Sequence, residues 1–216
     1  MEKTLTTQSF KEEVLNSLTH GLGFILSIAG LLTLILLAYE NGSAWHITSL
    51  AVYGASLTLL YGASTLYHSV KPGKTKQYLR IFDHAAIYVL IAGSYTPFAL
   101  ITLREHGGIP LFFVLWGITV VGVIFKFFFV GKFNLLSTIL YLLMGWMAVF
   151  VYEPLFNNLP FNGLWLLVGG GLSYSFGVIF YLWDRLPFNH SIWHLFVMGG
   201  SFMHFLAVYY SCLPQC

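Results

Sequence analysis

Seven stretches of the chain are apolar almost throughout, and short polar breaks separate them. They fall at about 18–39, 44–69, 79–102, 109–130, 133–152, 161–183 and 190–212. Each is near the roughly 20 residues that a helix needs to cross a bilayer core. The breaks carry turn chemistry: Asn41-Gly42-Ser43, Lys71-Pro72-Gly73-Lys74, Gly107-Gly108, Asn157-Asn158, and Pro187 with Asn189. The pattern predicts an all-α membrane protein, one seven-transmembrane bundle over residues 1–216 with no room for a second domain. The first apolar run follows a polar stretch ending near Thr19 and reaches Tyr39. It is longer than a signal h-region and lacks an A-x-A-like cleavage site, so a retained span is expected.

Composition supports the class and narrows the partners. Of the 216 residues 57% are hydrophobic, 18% aromatic and 8% charged, against about 25% charged in soluble domains. A net charge of +2 gives no electrostatic footprint for nucleic acid, which is dropped as a partner. Charge also sets an expected orientation. With the N-terminus inside, Lys3, Lys11, Lys71, Lys74, Lys76, Arg80, Lys126, Lys132 and Arg185 all fall on the inner side, and only Arg104 falls outside. The positive-inside rule then predicts a cytoplasmic N-terminus and an external C-terminus in a multi-pass cell-membrane protein.

Within the spans, Gly30, Gly54, Gly62, Gly93, Gly122, Gly145 and the Gly169-Gly170-Gly171 run are expected to allow close helix packing. A phosphate-loop reading of the triple glycine lacks a nearby lysine. A bridge between Cys212 and Cys216 would close a trivial loop, and Cys212 is one residue too early for a prenylation motif.

That topology gathers ionisable groups at one depth. His68 ends the second span, Asp83 opens the third, and His190 and His194 open the seventh, all on the expected cytoplasmic side. The i,i+4 pair His190 and His194 shares a helix face, and His68 would complete the three protein ligands of a catalytic metal. Ser64, one turn before His68, could hydrogen-bond water or a carbonyl, and Asp83 could move a proton. On the residues alone two readings stand side by side. A histidine pair at a helix start is often only interfacial, and no glutamate follows the first histidine as in HExxH. Against that, an acid and a further histidine at matching depth in a membrane usually mark function.

Four blocks go further: 12-EEVLNSLTHGLG-23, 64-STLYHSV-70, 82-FDHAAIYVLIAGSYTPF-98 and 187-PFNHSIWHLF-196. In order and content they resemble the hemolysin III branch of the progestin and adipoQ receptor superfamily, related more distantly to alkaline ceramidases. The resemblance implies a seven-helix fold with the N-terminus inside, in a bacterial plasma membrane. It also implies zinc held by His68, His190 and His194, with Ser64 and Asp83 around the site. The resulting expectation is a zinc-dependent hydrolase of a membrane lipid amide or ester, with Asp83 and Ser64 catalytic. Two alternatives remain: a non-catalytic receptor or regulator of the membrane with structural zinc, and the cytolytic pore of the family's name. Structural zinc usually has four protein ligands, which favours catalysis, and no span carries the sustained polar stripe of a channel wall.

Other polar residues are read as supporting. Asn16 and His20 are expected to be structural or to back the site, His84 to point about 100° away from Asp83, and His46 and His106 to be solvated loop residues at the outer face. His204, ten residues beyond His194, lies about 15 Å deeper on the same helix and is expected to bond a neighbouring helix. Pro97 is expected to kink or end the third span. Trp45, Trp146, Trp165 and Tyr209-Tyr210 read as interfacial belt or packing.

Overall fold

A computed structural model describes residues 8–214. Among them the chain is helical, with no strand, and seven helical segments are long and apolar enough to cross a membrane. The helices are α1 (Phe10–Asn41), α2 (Ala44–Ser69), α3 (Lys74–Pro97), α4 (Ile109–Phe129), α5 (Asn134–Gly145), α6 (Tyr152–Asn158), α7 (Phe161–Leu182) and α8 (Asn189–Cys212). α5 and α6 together make the fifth span, Asn134–Asn158. Lys3 and Cys216, which entered the charge and cysteine arguments, lie outside the described residues. Cys212 is a buried free thiol.

The first span starts eight residues earlier than its apolar run because Ser9 caps it. The Ser9 hydroxyl accepts from the Glu12 N–H at 3.3 Å, and the Glu12 carboxylate accepts from the Ser9 N–H at 2.7 Å. This reciprocal box satisfies two backbone donors that a bare helix start would leave open. α3 likewise begins at Lys74 rather than 79, directly after Gly73. Pro97 ends α3 as expected: it has no N–H to give, and the chain continues in wider turns. There the Leu103 N–H reaches back to the Phe98 carbonyl and the Gly108 N–H to that of Leu103, each at 2.8 Å.

The fifth span departs most from expectation. It runs past 152 and is broken at Trp146, where Met147–Val151 tightens into a 3-10 turn. The Tyr95 hydroxyl on α3 repairs the break: it donates to the Gly145 carbonyl at 2.6 Å and accepts from the Ala148 N–H at 2.9 Å. In hydrocarbon, freed backbone groups require such partners. Gly145 therefore serves the break and not close packing, since nothing lies within 4 Å of where its Cβ would stand. Gly93 does follow the packing expectation: a methyl there would overlap Ser56 of α2. Trp146, expected near a span end, sits at this mid-span break and donates to Ser175 Oγ at 3.0 Å.

Seven crossings bring the connections 70–73, 130–133 and 183–188 to the end of the bundle where α1 begins. Contacts tie that end together. Glu12 Oε1 accepts from the Phe188 N–H at 3.0 Å, Glu13 Oε1 pairs with Lys76 at 2.9 Å, and Arg80 lies against Gly131. The main core joins α1, α2, α3, α7 and α8 around Leu50, Tyr53, Leu57 and Val208. α5 touches α7 only sparsely, which leaves space inside the bundle.

Candidate metal centre

His68, His190 and His194 converge so that one ligand nitrogen from each lies within 4.8 Å of the others. The ring centroids are 5.2 Å (His68 to His190), 5.1 Å (His68 to His194) and 4.7 Å (His190 to His194) apart. His68 comes from the last turn of α2, and the other two from the first two turns of α8. α8 starts from Phe188, whose φ of 57° is unusual for a bulky residue. The Glu12 carboxylate on its N–H helps to hold that turn.

Neighbouring groups fix which ring nitrogens are free. Glu13 Oε2 accepts from His68 Nδ1 at 2.8 Å, and its other oxygen takes Lys76. With Nδ1 so engaged, His68 Nε2 is buried and has no hydrogen-bond partner, as a lone pair reserved for a cation would be. His194 Nδ1 lies 3.3 Å from Thr19 Oγ1. That hydroxyl already donates to the Leu15 carbonyl at 2.9 Å, so it can only accept from His194, leaving Nε2 of this ring with its lone pair. With a carboxylate behind His68 and a hydroxyl behind His194, two of the three rings have the outer support usual for metal-ligating histidines. The donors fit a metal ion.

His20 stacks on His194, with centroids 3.4 Å apart and planes 8° from parallel. Its Nδ1 is 2.7 Å from Ser64 Oγ. Asn16, fully buried, accepts from Ser191 Oγ on the α8 turn between the two metal-site histidines. Asp83 lies close enough to interact with His68, Ser64 and Arg80. A cavity of about 130 Å³ starts from these groups. His20, Ser64, Asp83, His190 and His194 line one end, and the remaining walls are mostly apolar and come from α3, α5, α7 and α8. The other end reaches Tyr174 and His204.

The profile of the family described as Haemolysin-III related matches residues 8–205. The chain belongs to that family. It is 50% identical to Hemolysin-3 of Bacillus cereus over 211 residues, which are 98% of this chain and 96% of that protein. It is 49% identical to the Hemolysin-3 homolog of Bacillus subtilis (strain 168) over 205 residues, 95% and 96% of the two chains. The human Monocyte to macrophage differentiation factor is 31% identical over 208 residues, 92% of this chain and 83% of that one. The resemblance carried by the four sequence blocks therefore holds, and with seven spans this haemolysin-III protein is a multi-pass membrane protein of the bacterial kind.

Of the residues singled out in the haemolysin-III sequence, the three histidines meet, and Asp83 and Ser64 share the adjoining cavity. His84 is not among the three, although it borders the same cavity. His204 bonds the Leu167 carbonyl of α7 at 3.1 Å through Nε2. His46 is not a loop residue: it lies in the first turn of α2 and caps it, accepting from the Ser43 N–H at 3.2 Å. Glu13 and Thr19 were not anticipated as supports of the histidines. The Ser9-x-x-Glu12 capping pattern was the signal that would have placed Glu13 inside the first helix.

Proposed function

We propose that this haemolysin-III protein is a zinc-dependent hydrolase of a membrane lipid amide or ester, working at the cytoplasmic leaflet. The observation that carries the reading is a three-histidine group, two of whose members, His190 and His194, line a mostly apolar cavity that also receives a carboxylate, Asp83. Three protein ligands are the number used by catalytic zinc, which keeps a fourth position open. Imidazole donors suit zinc among the first-row metals. When bound, zinc supplies Lewis acidity, polarising a carbonyl and lowering the pKa of water toward neutrality.

The protein's own groups do the rest. Asp83 takes a proton from the attacking water and returns it to the departing amine or alcohol, so the acyl group leaves as a carboxylic acid. Ser64 donates to the oxygen on which charge develops, and His20 holds the Ser64 hydroxyl in place. Glu13 keeps the His68 Nδ1 proton, and therefore the ring, in one orientation. The apolar walls take the acyl chain and exclude bulk water. Amide and ester bonds of lipids lie at the headgroup boundary, the depth at which α2 ends and α8 begins. The cytoplasmic assignment of that end rests on the lysines and arginines of its connections.

Metal analysis of purified protein tests the centre: wild type should carry zinc, and the double variant His190→Ala with His194→Ala should not. Stoichiometric zinc in the double variant would sink the site. Lipid profiles of cells carrying wild type or Asp83→Ala test the chemistry. Unchanged profiles with zinc and fold retained would favour a regulator in which the ion only ties the spans together. A second reading, membrane lysis, has its support in the name of the Bacillus cereus relative, Hemolysin-3. Dye release from liposomes that is indifferent to Asp83→Ala would favour it.

A further inference from the structure

Lys126 has no exposed surface although it lies one turn from the end of α4. A lysine in that position normally extends its amine to water. Here the ammonium turns inward, donating to Ser137 Oγ at 2.6 Å and standing 5.8 Å from the centre of the Tyr141 ring. A second cation arrives from α3. The Arg80 guanidinium packs on Gly131, where a Cβ would come within 2.8 Å of Nη1, and Arg80 Nε is buried without a hydrogen-bond partner. The two charges are close enough to repel. Among the described residues, neither forms a salt bridge with a carboxylate. The same turn is followed by α5, whose first N–H groups and positive dipole end face it. Ser137, the partner of Lys126, lies in the opening turn of α5.

Asp83 attracts Arg80 from one turn deeper, but nothing comparable faces the fully buried Lys126 ammonium, and two cations beside a helix N-terminus are mutually unfavourable unless an anion joins them. We propose that Arg80, Lys126 and the first turn of α5 bind a phosphate group, carried by a lipid headgroup or free in solution. Arg80 and Asp83 are three residues apart on α3, so Arg80 stands about one helical turn, roughly 5 Å, nearer the headgroups. In a glycerophospholipid the phosphate lies just outside the acyl esters. A lipid phosphate held by Arg80 and Lys126 thus brings the neighbouring ester to the depth of Asp83, making the substrate an anionic phospholipid. That last consequence rests on the hydrolase reading; the anion site does not.

The test uses the full-length protein in detergent and native mass spectrometry with dioleoyl phosphatidate and with dioleoylglycerol, which has the same chains without phosphate. Wild type should hold phosphatidate at least about tenfold more tightly. Lys126→Met and Arg80→Gln should each remove most of that preference while leaving dioleoylglycerol binding unchanged. Zinc content of each variant reports whether the rest of the bundle is intact, and if a variant does not fold, the wild-type preference decides alone. Displacement of phosphatidate by millimolar inorganic phosphate assigns the site to the anion itself, and retention assigns it to the lipid headgroup. Equal binding of the two lipids by wild type, or unchanged phosphatidate affinity in both variants, overturns the proposal. Loss of turnover in Asp83→Ala is read separately, so the hydrolase reading can fail while phosphate binding stands.

Discussion

Replacing Glu13 with glutamine changes one atom and should weaken the metal centre measurably. The carboxylate serves two donors, His68 Nδ1 at 2.8 Å and Lys76 Nζ at 2.9 Å. Glutamine has one oxygen for the two and turns an N–H₂ toward the other. His68 then loses its charge-assisted anchor and can rotate its free Nε2 away from the other two rings. Loss of such an outer partner costs about 10- to 100-fold in metal affinity, roughly 1.4–2.7 kcal/mol. The Glu13 side chain is 20% exposed, so some solvent screening applies and about 10- to 30-fold is expected. Competition for zinc between the detergent-solubilised protein and a chromogenic chelator measures it directly. Lys76→Met is the control: it leaves the carboxylate on His68 and should shift affinity by less than about threefold. Affinity within about twofold of wild type for Glu13→Gln would refute the claim that this carboxylate orients a ligand.

Three further outcomes follow from contacts described above. Tyr95→Phe removes the hydroxyl that bridges the break in the fifth span, and two orphaned backbone groups should lower stability by about 1–3 kcal/mol, read as a lower thermal midpoint. Gly93→Ala places a methyl against Ser56 of α2 and should cost about 1–3 kcal/mol by the same measurement. Stripping metal with a chelator should lower the thermal midpoint of wild type but not of His190→Ala with His194→Ala; at zinc a hundredfold above Kd the difference is about 2.7 kcal/mol.

The apolar runs made seven spans legible because hydrocarbon thickness leaves a helix little choice of length. The meeting of His68, His190 and His194 was legible because topology alone placed the end of the second span and the start of the seventh on one side of the bundle. What escaped was whatever depends on a partner far away in sequence. Glu13 fell in a polar stretch assigned outside the first span, and only its contact with His68, 55 residues on, reveals its use. The break at Trp146 is invisible in an apolar run, since the Tyr95 hydroxyl that makes it tolerable comes from another helix. Lys126 was counted as an inner-side charge for orientation; its complete burial is a property of how α4 meets α5.

His68 and His190 are 122 residues apart in the chain, and adjacent glutamates of α1 hold both neighbourhoods: Glu13 grips His68, and Glu12 grips the turn that opens α8. During synthesis, therefore, the first six spans can enter the membrane with only one of the three ligands present. The centre comes into being when the last span arrives and docks on the first. A chain arrested before residue 190 lacks two of the three histidines, so on the zinc reading proposed above a bound ion would report completed insertion and would clasp the last span to the second.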